Sequence, residues 1–123
     1  MSFDWCEYLN LAQELCGQTG VSAIQDAKLR TSVSRAYYCA FCVARNYLRD
    51  VKGLPIASDV TAHQSVANWF KGRQRKPERK VGHDLDRLRI DRNKADYDDT
   101  VSGLTRMTKD ALKRTQRIIS TIP

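Results

Sequence analysis

The stretch Leu29-Arg30-Thr31-Ser32-Val33-Ser34-Arg35-Ala36-Tyr37-Tyr38-Cys39-Ala40-Phe41-Cys42-Val43-Ala44-Arg45-Asn46-Tyr47-Leu48 decides the fold. Leu29, Val33, Ala36, Tyr37, Ala40, Phe41, Ala44, Tyr47 and Leu48 recur at spacings of three and four, which lays them on one broad stripe of an α-helix. The helix is expected over about residues 22–49. Its interior mixes small residues (Ala36, Cys39, Ala40, Cys42, Ala44) with aromatics, a composition suited to the centre of a bundle, and Gly53 and Pro55 end it.

The same period extends outward in both directions. Trp5, Tyr8, Leu9, Ala12, Leu15 and Cys16 predict a first helix over about 3–16, capped by Asp4 or Ser2 and interrupted by Gly17 and Gly20. A third helix is expected from a cap at Ser58 or Asp59 to Lys71, with Ala62, Val66, Ala67, Trp69 and Phe70 inward. Gly72 and Pro77 then punctuate a run with six basic residues and one acid, Lys71 to Lys80, which reads as a mobile basic loop at about 71–80. After Gly82 a shorter helix carries Leu85, Leu88 and Arg92. The closing helix runs from Asp98 or Asp99 to Ile119, with Val101, Leu104, Thr108, Ala111, Leu112, Thr115, Ile118 and Ile119 inward and a basic stripe of Arg106, Lys109, Lys113 and Arg117 outward. No strand pattern or internal repeat is present. The expectation is a single all-α domain over 1–123, an antiparallel up-and-down bundle of four to five helices.

Composition agrees with a chain that builds its own core: 41% of the 123 residues are hydrophobic and 28% charged, unlike a disordered polyelectrolyte. No apolar run is long enough to span a bilayer, and Met1-Ser2-Phe3-Asp4-Trp5 lacks the features of a signal peptide, so a cytoplasmic location is expected. Cys39 and Cys42 sit three apart inside one helix, poorly placed to bridge, and Cys6 and Cys16 do not share a helical face with each other. The cysteines therefore read as reduced, small apolar side chains, and no metal or cofactor is expected. A formal charge of +7 favours a polyanionic partner such as nucleic acid.

Arg92 is the most informative single residue. It continues the apolar stripe of Leu85 and Leu88, and a guanidinium on that side needs an acidic partner, a bound anion or an interface. Asn93, Asp96 and Tyr97 make a tight polar group with it where the helix ends.

With those residues in place, the chain resembles the HEPN family, named for nucleotide binding in higher eukaryotes and prokaryotes. Ser34-Arg35-Ala36-Tyr37-Tyr38-Cys39-Ala40-Phe41 is similar to the family signature S/N-R-A-Y-Y-A-x-F. His63 to Phe70 resembles its H-x-x-V-x-x-x-F helix, and Leu88 to Tyr97 its L-x-x-x-R-x-x-A-D-Y motif, the mark of an R-x-x-A-D-Y subgroup. The resemblance implies a HEPN-like bundle, a homodimer whose cleft joins the two motif arginines, and RNA or nucleotide as ligand. Many members are metal-independent endoribonucleases built on an arginine, a polar follower and a histidine. Arg92 and Asn93 match the first two. Tyr97 stands where active members place histidine, and a phenol, protonated at neutral pH, is a poor general base.

Three readings are therefore open. In the first the chain is a ribonuclease, the toxin component of a prokaryotic toxin-antitoxin or phage-defence system. Arg92, Asn93, Asp96 and Tyr97 are then catalytic, or a histidine brought near by folding handles the proton, and Lys71, Arg73, Arg75, Lys76, Arg79 and Lys80 bind RNA. In the second it is a non-cleaving module that binds nucleotide or RNA, or pairs with a minimal nucleotidyltransferase antitoxin, with Tyr97 a candidate acceptor. In the third, Arg92, Asp96 and Tyr97 only lock a helix terminus. His63 and His83 read more simply as a packed helix residue and a loop residue.

Overall fold

A computed structural model describes residues 2–17 and 23–123. Among them are five α-helices and no strand: α1 (Cys6–Gly17), α2 (Ala23–Asn46), α3 (Thr61–Lys71), α4 (Lys76–Tyr97) and α5 (Leu104–Thr121). The interruption expected at Gly20, and a start of α2 at Ser22, lie outside the described residues.

Helix α2 forms the axis of the bundle, and its small residues are the reason. Ala36, Ala40 and Ala44 are fully buried, which lets neighbouring backbones close in. Polar side chains exploit that proximity to reach across to backbone carbonyls. Ser32 donates to Ala12 O at 2.7 Å and Thr115 to Ala36 O at 3.1 Å, so each buried hydroxyl is satisfied. A π-helical turn, Tyr47–Val51, prolongs α2. Gly53, at φ 67°, then reverses the chain so that Leu54 N–H donates to Leu48 O at 3.0 Å.

The contacts fix the helix directions. Trp5 meets Arg45 while Ala12 meets Ser32, so α1 is antiparallel to α2. By the same test α4 runs antiparallel to α2, α3 and α5. The alternation has one exception: Tyr37 meets His63 and Tyr47 meets Phe70, so α3 runs alongside α2 in the same direction, and the 52–60 connection recrosses the bundle. Asp59 starts α3, its carboxylate accepting Thr61 N–H at 2.9 Å.

Two expectations fail on α4. Residues 76–80 are its first turns, so only 72–75 join it to α3, and the basic run is not a mobile loop. Pro77 occupies the first turn, where its missing N–H and fixed φ favour a helix, so it starts α4 rather than breaking a chain. Gly82 does not break it either, being buried in mid-helix. A Cβ there would lie 2.6 Å from Ala67 O and 2.7 Å from Lys71 N, so this glycine lets the α3 backbone close directly onto α4. His83 consequently lies exposed on a helix, not in a loop.

Charge pairs lock α4 to α5. Arg117 donates to Asp84 at 2.9 Å, and Arg114 lies 3.9 Å from Asp84 and 4.0 Å from the buried Asp91. The outward basic stripe expected on the last helix is thus only partly free, since Arg117 is spent on Asp84 and Arg106 pairs with Asp110 at 3.3 Å. At the other end of α4, the Arg30 guanidinium donates to the carbonyls of Ala95 (3.1 Å), Asp98 (2.6 Å) and Asp99 (3.2 Å). That cation caps the helix C-terminus and fixes the segment carrying Arg92 to Tyr97.

Candidate functional site

Three helices converge on one face: α2 brings Tyr37 and Tyr38, α3 brings His63, and α4 brings Arg89, Arg92, Asn93 and Asp96. The Arg92 side chain is 17% exposed and held on three sides. It donates to the Tyr38 hydroxyl at 2.7 Å and to Asn93 Oδ1 at 2.8 Å, and its Nε lies 2.9 Å from Asp96 Oδ2. That last contact is off the N–H axis, so the buried Nε–H has no hydrogen-bond acceptor. Ser34 donates to the same Asp96 oxygen at 3.4 Å, and Arg35 stacks on Tyr8 and Tyr38 behind it.

Arg92, Asn93 and Asp96 are therefore brought together as their spacing predicts, i to i+1 and i to i+4 on one helix. Tyr97 stands apart at the rim, 72% exposed, its ring centroid 5.8 Å from the Arg92 guanidinium. The expected RNA-binding residues scatter. Lys71 pairs with Asp86 at 2.5 Å, Arg73 stacks on Trp69 at 4.1 Å, and Arg79 donates to the carbonyls of Arg73 and Gln74. Arg75 lies 3.8 Å from Glu78, while Lys76 and Lys80 face a groove against α5.

His63, the first residue of the H-x-x-V-x-x-x-F match, is brought to this face by the fold. Its imidazole stacks on Phe41, with centroids 4.2 Å apart, and its Nδ1 makes a short hydrogen bond with the Tyr37 hydroxyl. Burial, then the positive charges of Arg89 and Arg92, push its pKa below the ordinary histidine value, so the ring stays neutral. Burial also drives the Tyr37 pKa well up, which keeps that hydroxyl protonated. Arg89 falls at an unspecified position of the L-x-x-x-R-x-x-A-D-Y match. Its signal was its place three residues before Arg92, on the same face of α4.

A stability consequence follows from the depressed pKa of His63. The unfolded chain takes up a proton near pH 6.5 while the folded chain resists it, so unfolding free energy falls as pH drops below about 6.5 and levels off below the folded pKa. Urea unfolding at neutral and mildly acid pH should show this loss in the wild type. In His63→Phe the loss should be smaller over that window; an identical pH dependence would mean the imidazole is not buried against these arginines.

Comparison with known families bears directly on this face, because a HEPN domain family model matches residues 18–123, including every residue of the Arg92 cluster. The chain belongs to the HEPN family. Neither the curated proteins nor the solved structures gave a match. HEPN membership carries a nucleotide- or RNA-related function in general terms, and HEPN domains often dimerise. Helix α1 precedes the matched span and packs against α2 through Ser32 and Arg45. Among the described residues of this HEPN chain, no helix is long and apolar enough to cross a membrane.

Proposed function

We propose that this HEPN chain is a metal-independent endoribonuclease in which His63, not a histidine on α4, handles the proton. The observation that supports it is that Tyr38 lies between the two groups: its ring centroid is 6.3 Å from that of His63 on α3, and its hydroxyl accepts from Arg92 on α4 at 2.7 Å, while the charges of Arg89 and Arg92 act on the imidazole. Cleavage by this route needs a base for the ribose 2′-OH and a cation for the charge that builds on phosphorus. Tyr37 can accept from Nδ1–H, which leaves Nε2 as the base. The 2′-oxygen attacks the adjacent phosphorus, its proton passing to Nε2, and a 2′,3′-cyclic phosphate forms. The P–O5′ bond breaks and the leaving oxygen takes a proton from Tyr97 or water. Arg92 and Arg89 hold the phosphate, and Asn93 and Asp96 position Arg92.

In the cell such an activity suits the toxin of a toxin-antitoxin or defence pair, restrained by a partner such as a minimal nucleotidyltransferase. A second reading draws on the partners Arg92 already has. A guanidinium held by Asp96, Asn93 and Tyr38 also suits a HEPN module that binds RNA or nucleotide without cutting it.

Incubating the protein with RNA in EDTA at low salt separates the two. Cleavage to cyclic-phosphate ends is expected, with His63→Asn slower by about a hundredfold or more, the usual worth of a proton-transfer group. RNA left intact, yet bound with a salt-sensitive affinity that Arg92→Ala weakens, would replace the first reading by the second.

A further inference from the structure

The opposite end of α4 carries a groove that plays no part in this chemistry. It lies between the first turns of α4 and the last turns of α5, with a volume of about 630 Å³, within the range of ligand clefts. Lys80 is twelve residues from Arg92 on the same helix, about 18 Å along its axis.

The walls are two facing cationic rows. Lys76 and Lys80 stand at i and i+4 on α4, and Lys113 and Arg117 at i and i+4 on α5, each pair one helical turn apart. Asp84 at the base neutralises Arg117. Lys76, Lys80 and Lys113 form no ion pair among the described residues, so three positive charges face one cleft uncompensated. The positive end of the α4 dipole opens into the same space. Between the rows the floor is aliphatic, made by Pro77, Val81 and the lysine stems.

That combination selects among polyanions. Single-stranded RNA gains affinity by stacking bases on aromatic rings, and the groove lining contains none. An amphipathic helix meets both features at once, since aliphatic anchors fill the floor while carboxylates spaced one turn apart meet the two lysine rows. We propose that the α4/α5 groove docks an acidic amphipathic helix of a partner protein. Charge complementarity sets its orientation and on-rate, and the aliphatic floor holds it. A partner seated there leaves the Arg92 face open.

The test uses the full chain and a fluorescein-labelled helical peptide bearing glutamates at i and i+4 beside leucines at i and i+3, read by anisotropy. Salt-sensitive binding is expected. Lys80→Glu combined with Lys113→Glu should weaken it about tenfold or more, as should Ser120→Trp, which fills the groove without changing charge. Lys109→Glu, on α5 but outside the groove, should leave it unchanged. All of these positions are exposed, so circular dichroism should show the fold intact. The proposal is overturned if the peptide fails to bind, if its glutamine version binds equally, or if Lys109→Glu weakens it as much. It is also overturned if oligouridine displaces the peptide and depends on the same residues, or if the groove variants instead abolish self-association.

Discussion

Gly82→Val will melt far below the wild type, by roughly 10 °C or more. A Cβ at this position lies 2.6 Å from Ala67 O and 2.7 Å from Lys71 N, both backbone atoms of α3, so no rotamer change can relieve the overlap. The two helices must separate. Overpacking of this kind costs about 1–3 kcal/mol, and the valine γ-methyls add to it at a site where Gly82 is buried. For a chain of this size about 3 kcal/mol corresponds to roughly 10 °C.

Gly82→Ala is the sharper comparison. Alanine gains about 1 kcal/mol of helix propensity over glycine, which offsets part of the steric cost, so this variant should fold but melt below wild type. It should also lose RNA cleavage out of proportion to its stability, because the helix displaced from α4 is the one that carries His63. Thermal melts of both variants decide it. An alanine variant that melts above wild type would show that α3 and α4 are not in close contact at this crossing.

Gly82 also marks where the sequence misled. Glycine and proline are read as breakers because of their effect on an isolated helix. Pro77 at a helix start and Gly82 at a helix crossing obey a different requirement, one set by the position within the element and by the neighbouring helix. No pattern within 71–82 reports the proximity of Ala67. The long stripe from Leu29 to Leu48 was legible for the opposite reason, since burial against several partners repeats at every turn and writes itself into the period. The same distinction divides the site. Arg92, Asn93 and Asp96 lie within one turn of one helix and their spacing was sufficient to group them. His63 is 29 positions from Arg92, on a helix whose direction depends on the 52–60 crossover, so only the assembled bundle joins them.

The largest effect on activity is expected from Arg92→Ala, which should lower the RNA cleavage rate by about a hundredfold to a thousandfold, the usual loss when one transition-state donor is removed. The substitution does two separable things. It deletes the guanidinium that would meet the phosphate, and it leaves the Asp96 carboxylate, 26% exposed, without its cation. The second effect costs stability, about 1–2 kcal/mol for a half-buried charge-assisted contact, and it also places an uncompensated negative charge where an anionic substrate must bind. Arg92→Ala combined with Asp96→Ala removes that carboxylate together with its partner. Thermal stability should then recover most of its loss, as expected for two residues in direct contact, while cleavage stays low. Arg92→Lys should restore the charge but not the fork that spans Tyr38, Asn93 and Asp96, giving partial activity at best. If the double variant regained cleavage along with stability, Arg92 would serve only to neutralise Asp96, and the reading of this face as a phosphate site would fall.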